Sequence, residues 1–296
     1  MNNILKKSKK ISLLNNRKLI ISLIFIAVFI IIELYLLVQN TKLSVSTYDV
    51  MSEKIPNDFN GFKIIQISDF HNTKSKTLTN SIINKIKEEK PNIVAITGDL
   101  VDRNRTNINV AIDLIQKIKE IAPIYYVTGN HEYCIENRYN DLKKLLEENG
   151  VTVLNNKVNV IEIGQSKINI AGIDDPRFVG YSYEKPDPIV DDVLSKLEYD
   201  KDFYTILLSH RPEVFDVYVN HGIDLALTGH AHGGQIRVPF IGAIFSPGQG
   251  MFPKYSAGKY KENETSMIVS RGIGNSVFPF RINNRPDLVV ITLNHK

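Results

Sequence analysis

Apolar positions along the chain fall into three patterns, and each predicts a different element. Residues 19–38 read L-I-I-S-L-I-F-I-A-V-F-I-I-I-E-L-Y-L-L-V, twenty positions broken only by Ser22 and Glu33. At 1.5 Å per residue a helix of that length spans about 30 Å, the thickness of a bilayer's hydrocarbon core. The run is longer than a signal-peptide core and no small-residue cleavage site follows it, so an uncleaved transmembrane anchor is expected. Short, β-branched apolar runs then recur at 64–67, 93–96, 124–127, 205–208 and 225–227. Runs that are apolar on both faces read as strands buried in a parallel sheet. Between the first three, apolar residues switch to helical spacing: Leu78, Ile82, Ile83 and Ile86 within 77–89, then Val110, Ala111, Leu114, Ile115 and Ile118 within 107–121. A third helix is predicted over 139–148, stopped by Asn149-Gly150. Strand, helix and strand in succession imply parallel pairing with right-handed crossovers.

From Val151 the alternation changes. Apolar stretches at 151–154, 158–163 and 167–173 follow one another with only short Asn-Lys and Gly-Gln-Ser turns between them. Segments 187–197 and 213–219 have helical spacing and flank the 205–210 run, and 267–271 and 288–293 read as late strands. Residues 39–62 are polar and end in a turn-rich Pro56-Asn57-Asp58-Phe59-Asn60-Gly61, which predicts a tether. The expected organisation is a basic tail (1–18), an anchor (19–38), the tether (39–62) and one α/β domain (63–296) containing two sheets.

Charge sharpens this division. The net +4 suggests a polyanion partner until it is apportioned. Residues 1–18 hold Lys6, Lys7, Lys9, Lys10, Arg17 and Lys18 and no acid. Setting those six and Glu33 of the apolar run aside leaves thirty basic and thirty-one acidic residues. The folded part is therefore near neutral, and no nucleic-acid partner is expected. The basic tail predicts that the N-terminus stays in the cytoplasm and the domain faces outward. Cys134, the one cysteine, excludes an intrachain disulfide and a cysteine-based zinc site.

Candidate chemistry sits where the apolar runs end. Asp69 and His71 follow the first, Gly98-Asp99 the second, Asn130-His131-Glu132 the third, His210 the fourth, and His230 and His232 the fifth. In open α/β sheets ligands bind outside the carboxyl ends of the strands. Each residue alone has an ordinary reading as a turn former or core histidine. Their repetition at five strand ends points instead to one site. Asp, His and Asn without thiolate suit divalent Mn, Fe or Zn, and the set exceeds what one ion needs. Two ions about 3.5–4 Å apart, sharing a carboxylate, clamp the attacking and leaving oxygens of an in-line displacement. His221 and His295 lack this context and are left as ordinary histidines.

With those residues in place, the chain resembles the calcineurin-like metallophosphoesterases. The resemblance rests on Asp69-x-His71, Gly98-Asp99-x-x-Asp102, Gly129-Asn130-His131-Glu132, His210 and Gly229-His230-x-His232, and it runs from about residue 63 to the C-terminus. It is sharper for the membrane-anchored phosphodiesterase branch, through the stretches 233–240 (G-G-Q-I-R-V-P-F) and 279–286 (P-F-R-I-N-N-R-P). The resemblance implies a four-layer α/β/β/α sandwich of two mixed sheets, here preceded by one transmembrane helix. It implies that Asp69, His71, Asp99 and His232 hold one metal, and that Asp99, Asn130, His210 and His230 hold a second. His131 would contact a phosphate oxygen, stabilising charge or protonating the leaving group. Asp102 would orient His131, and Arg103 would grip phosphate. Attack by a metal-bridged hydroxide is the implied reaction.

Two features remain. Arg237, Arg271, Arg281 and Arg285 could bind a phosphodiester or pyrophosphate, or pair with acids such as Asp287. The uncharged stretch 238–252, punctuated by Pro and Gly, is an apolar lip if exposed and a core cover if buried. The expected protein is a single-pass plasma-membrane phosphoesterase with an extracytoplasmic domain, acting on a phosphorylated lipid or envelope substrate. A nucleotide or nucleic-acid phosphodiesterase is the alternative within the enzyme class, and a non-catalytic binding scaffold the alternative outside it.

Overall fold

The computed structural model describes residues 2–180, 186–275 and 278–296, with side chains from residue 16 onward. Helix α1 (Asn2–Thr41) runs unbroken through the apolar segment, whose large side chains are exposed. Its portion Asn16–Thr41 is long and apolar enough to cross a membrane. The basic side chains of Lys6 to Lys10 lie outside the described residues.

The first sheet contains β1 (Ser44–Ser52), β2 (Phe62–Ile67), β3 (Ile93–Thr97), β4 (Ile124–Val127), β5 (Thr152–Val153) and β16 (Asp287–His295). Its spatial order is β1-β16-β2-β3-β4-β5, parallel except where β16 meets β2. The second contains β6 (Lys157–Ile163), β7 (Ser166–Gly172), β8 (Tyr204–Leu208), β9 (Leu225–Thr228), β14 (Gly258–Glu262) and β15 (Thr265–Val269). Its order is β14-β15-β9-β8-β7-β6, with four central parallel strands and an antiparallel strand at each edge. Two small hairpins, β10–β11 (Arg237–Val238 and Gly242–Ala243) and β12–β13 (Phe245–Ser246 and Gly250–Met251), lie outside both sheets.

The strand pleat explains the layers. Ile65, Ile67, Val94 and Ile96 point to one face of the first sheet and pack on α2 (Lys76–Glu89), α3 (Ile108–Ile118) and α5 (Arg138–Glu148). Their neighbours Ile64, Ile93 and Ala95 point to the other face and meet Ile168, Ile206, Leu208, Leu225 and Leu227 of the second sheet. The far side of that sheet, through Ala171, Leu207, Ala226 and Met267, packs on α6 (Asp187–Ser195) and α7 (Phe215–Asn220). These are the four layers expected, and both sheets are mixed.

One expectation is corrected. Residues 44–52 are not a free tether: they form β1, paired in register with β16 from Ser44 opposite Asp287 to Ser52 opposite His295. As an edge strand it buries only Val50 fully, so its sequence S-V-S-T-Y-D-V-M-S carries little apolar signal. Only two residues separate α1 from β1, and the last turns of α1 are fastened to the body. Tyr35 donates to Asn283 Oδ1 at 2.8 Å, Asn40 Oδ1 accepts from the Arg281 N–H at 3.1 Å, and Gln39 Oε1 accepts from the Asn284 N–H at 3.1 Å.

Candidate metal centre

The carboxyl ends of β2, β3, β4, β8 and β9 converge, and every strand-end residue singled out from sequence is buried where they meet. The loops after β2 and β3 are zipped together by backbone bonds, Asp69 N–H to Gly98 O and His71 N–H to Asp99 O, both 3.0 Å. Asp69, His71, Asp99, His230 and His232 all hold positive φ between 47° and 63°. Left-handed backbone at non-glycine residues is costly and collects at functional sites. Gly98 (φ +86°) permits the approach: a Cβ there would stand 2.6 Å from His210 Nδ1.

Three groups of donor atoms result among the described residues. Asp69, His71, Asp99 and His232 form one, Asp99, His210 and His230 a second, and His71, Asp102 and His131 a third, so Asp99 belongs to the first two. His71 Nε2 and His232 Nε2 face each other at 3.1 Å, with the rings stacked at 5.0 Å. His232 Nε2 lies 3.2 Å from Asp69 Oδ1, and His210 Nε2 lies 3.3 Å from Asp99 Oδ2. His210 Nδ1 donates to Thr97 O at 2.8 Å, which leaves Nε2 as its ligating atom. Asn130 Oδ1 and His210 Nε2 are buried without a hydrogen-bond partner. Donors left open at a carboxylate–imidazole cluster fit a divalent ion.

Electrostatics agree. Burial holds His71 and His230 well below the ordinary imidazole range, and His232 falls to about 4. These are the neutral rings that a metal requires. Burial opposes charge on His210 too, but Asp99 and Asp69 outweigh it and raise that ring to about 10. A proton there occupies the place that a cation would fill.

His131 stands at the start of α4 (Asn130–Cys134), its N–H donating to Asp99 Oδ1 at 2.8 Å. Asp102, expected to orient His131, lies beside both His131 and His71. Asp102 Oδ2 is 3.9 Å from His131 Nδ1, and Asp102 Oδ1 accepts from the Asn104 and Arg105 N–H groups at 2.9 Å. His131 Nδ1 accepts from the backbone N–H of Arg103 at 3.0 Å. That bond puts the ring proton on Nε2, which faces Asp99. Arg103 thus touches the site through its backbone, while its guanidinium lies 3.9 Å from Cys134 Sγ.

The structure adds a role for Glu132, which the sequence placed at a strand end without assigning it one, and two residues not singled out before, Asp175 and Arg211. Buried Glu132 accepts from the backbone N–H groups of Gly129 (2.7 Å), Asp99 (2.9 Å) and Val101 (3.2 Å), tying the loops after β3 and β4 together. Burial and nearby Asp99 push its carboxyl up to about 8. Arg211 makes a buried bidentate pair with Asp175 at 2.6 and 3.1 Å, and its Nη1 lies 2.8 Å from His230 Nε2. A ligated neutral His230 has no free lone pair for that contact, so metal loading and this bond exclude each other. The signal was present: Asp174-Asp175 follow β7 at the same sheet edge, and Arg211 follows His210.

Three of the four arginines considered for phosphate are engaged within the protein. Arg271 pairs with Asp287 at 2.9 Å, and Arg237 donates to Gly233 O at 3.0 Å. Arg281 is fully buried on the carbonyls of Arg271 and Gly274 and on Asn275 Oδ1. It braces the loop whose Ile273 and Gly274 N–H groups bond Ser68 O and Asp69 O.

A buried Asp/His/Asn cluster at the joined strand ends of an α/β/β/α sandwich defines a candidate centre for divalent metal. Residues 62–234 match the calcineurin-like phosphoesterase family. The uncharacterized metallophosphoesterase YkuE of Bacillus subtilis is 33% identical over 253 residues, covering 83% of this chain and 84% of its own. The phosphodiesterase YaeI of Escherichia coli is 30% identical, covering 78% and 82%. A transmembrane protein with metallophosphoesterase domain from Danio rerio is 28% identical over 94% of this chain and 63% of its own. The chain belongs to the calcineurin-like phosphoesterases.

Proposed function

We propose that the protein is a membrane-anchored phosphodiesterase that holds two divalent ions and acts outside the cytoplasm on a phosphodiester or pyrophosphate of a lipid or the cell envelope. The observation that carries this reading is the membership of Asp99 in two donor groups at once. Asp69, His71 and His232 would complete one site with it, and Asn130, His210 and His230 the other. Bound ions of the Mn, Fe or Zn class supply an acidified water and neutralise phosphate charge.

The chain's own contribution is positional. Glu132 and the zipped loops fix the distance between Asp69, Asp99 and His131. His131 keeps its proton on Nε2 because Nδ1 is occupied by the Arg103 N–H. It is thereby a donor to a phosphate oxygen or to the oxygen that leaves. The apolar 16–41 span and the six charges preceding residue 19 support a single crossing with a cytoplasmic N-terminus. A phosphodiesterase named among the relatives supports the diester.

The test is reconstitution of metal-free, full-length protein in detergent with Mn, Fe or Zn, assayed on a phosphomonoester, a phosphodiester and a lipid pyrophosphate. Diester or pyrophosphate turnover that saturates at two ions per chain is expected. Turnover of the monoester alone, or full activity at one ion, overturns the reading.

A further inference from the structure

The two imidazoles stacked at the metal centre divide two cavities of opposite character. On the His71 side is a polar cleft of about 190 Å³, lined by His71, Asn72, Thr73, Lys74 and Arg105. On the His232 side is a cavity of about 350 Å³, lined by His232, Ile236, Ile244, Phe245, Pro247 and Phe278. A phosphorus atom held at the metal centre would therefore have a cationic, hydrogen-bonding cleft on one side and an apolar slot on the other. A diester with two polar substituents leaves the slot unused, and one with two apolar substituents wastes Lys74 and Arg105.

The slot opens among exposed apolar side chains. The tip of hairpin β10–β11 exposes Phe240 fully and Ile241 largely, and Phe245, Met251, Phe252 and Phe280 are each about half or more exposed. Six such side chains around one hairpin pair and its neighbouring loop are more than a water-facing surface ordinarily carries. Their placement relative to α1 says what covers them. Asn283 accepts from Tyr35 and donates to Arg237 O at 3.1 Å, so the hairpin begins at the level of Tyr35. Tyr35 lies six residues before the end of α1 (Thr41), about 9 Å along the helix. If α1 crosses a bilayer, the hairpin starts within the interfacial layer.

We propose that the slot takes the hydrocarbon chain of an amphiphilic phosphodiester drawn from the bilayer that hairpin β10–β11 enters, while the polar cleft takes its hydrophilic substituent. This rests on the phosphodiesterase reading above and names its substrate class. In the reaction, water's oxygen bonds phosphorus, the P–O bond to one substituent breaks, and the departing oxygen receives a proton.

The chain contains no tryptophan, so single-tryptophan reporters test the placement without turnover. Full-length Phe240→Trp in phosphatidylcholine–phosphatidylglycerol vesicles should emit at short wavelength and be quenched by lipids brominated on their acyl chains. Unquenched, water-like emission overturns the bilayer contact. Phe245→Trp in detergent should shift its emission with dodecyl phosphate and not with methyl phosphate; the same response to both overturns the slot. For turnover, alkyl 4-nitrophenyl phosphates from methyl to octyl isolate the chain. Each methylene fully removed from water strengthens binding about three- to fourfold, so partial burial of seven predicts at least about a tenfold rise in kcat/KM. Phe245→Ser with Phe278→Ser should flatten that rise and leave methyl-ester turnover within about twofold. Because both residues are exposed, loss of folding is not expected, and Ile244→Phe provides an independent check by favouring shorter chains. Turnover of all esters at one rate by the wild type overturns the slot and spares the phosphodiesterase. No turnover of any ester sinks the phosphodiesterase reading, and the emission of Phe245→Trp still decides the slot.

Discussion

Glu132 offers the most quantitative prediction. Its carboxyl oxygens accept three backbone N–H groups, from Gly129, Asp99 and Val101, and no part of it meets solvent. Glu132→Ala leaves those three donors without their acceptor. Each buried, unsatisfied group costs about 1–3 kcal/mol. Water entering the vacated volume and relief of the repulsion from Asp99 keep the sum near the low end, about 3–5 kcal/mol. For a chain of this size about 2–4 °C of melting temperature is lost per kcal/mol, so Glu132→Ala should melt about 6–20 °C lower. Glu132→Gln retains a carbonyl oxygen for Gly129 and Asp99 but turns an NH₂ toward Val101 N–H, and about 1–3 kcal/mol is expected. The assay is thermal unfolding of metal-free protein in detergent, followed by metal analysis after reconstitution. Both variants should also bind metal more weakly, because the Asp99 loop loses its brace. A Glu132→Ala protein melting within about 2 °C of wild type would refute the claim that this side chain holds the two loops together.

Three further outcomes follow from the site. His131→Ala should keep its metal and lose about 100–1,000-fold in kcat, since a single preorganised donor is removed; collapse of metal content would make His131 a ligand. Arg103→Ala keeps the backbone N–H that orients His131, so it should leave kcat within about twofold, and a large fall in kcat would place the guanidinium in the reaction itself. Gly98→Ala forces a Cβ to within 2.6 Å of His210 Nδ1 at φ +86°, which should cost about 1–3 kcal/mol and displace His210 from the metal site; normal melting and metal content would show that the loop relaxes freely.

What was legible in the sequence follows from range. Buried parallel strands such as β3 are apolar throughout, so five of them and the residues at their carboxyl ends could be read locally. Which face Ile64 and Ile65 each serve emerged only from the structure, because a run apolar on both sides does not say which layer lies where. Strand β1 was hidden because an edge strand needs few apolar residues and its partner lies some 240 positions away. The bracing role of Glu132 and the Asp175–Arg211 pair were missed for a related reason: their partners are brought together only by which strand ends meet. The arginines of the C-terminal stretch were ambiguous until Asp287 and the carbonyls of 271 and 274 were seen to occupy Arg271 and Arg281. Segment 238–252 was equally ambiguous. Its two hairpins bury only Ala243 and Ser246, so it is a lip and not part of the core.

The account depends most on one carboxylate serving two ions. Elemental analysis of wild type and Asp99→Asn, reconstituted side by side with Mn or Zn and freed of loosely bound metal, tests this directly. Two ions per wild-type chain are expected, with tight binding lost at both sites in the variant and activity lost with it. One tight ion in the wild type, or a variant that keeps one site intact while losing the other, contradicts the shared role of Asp99.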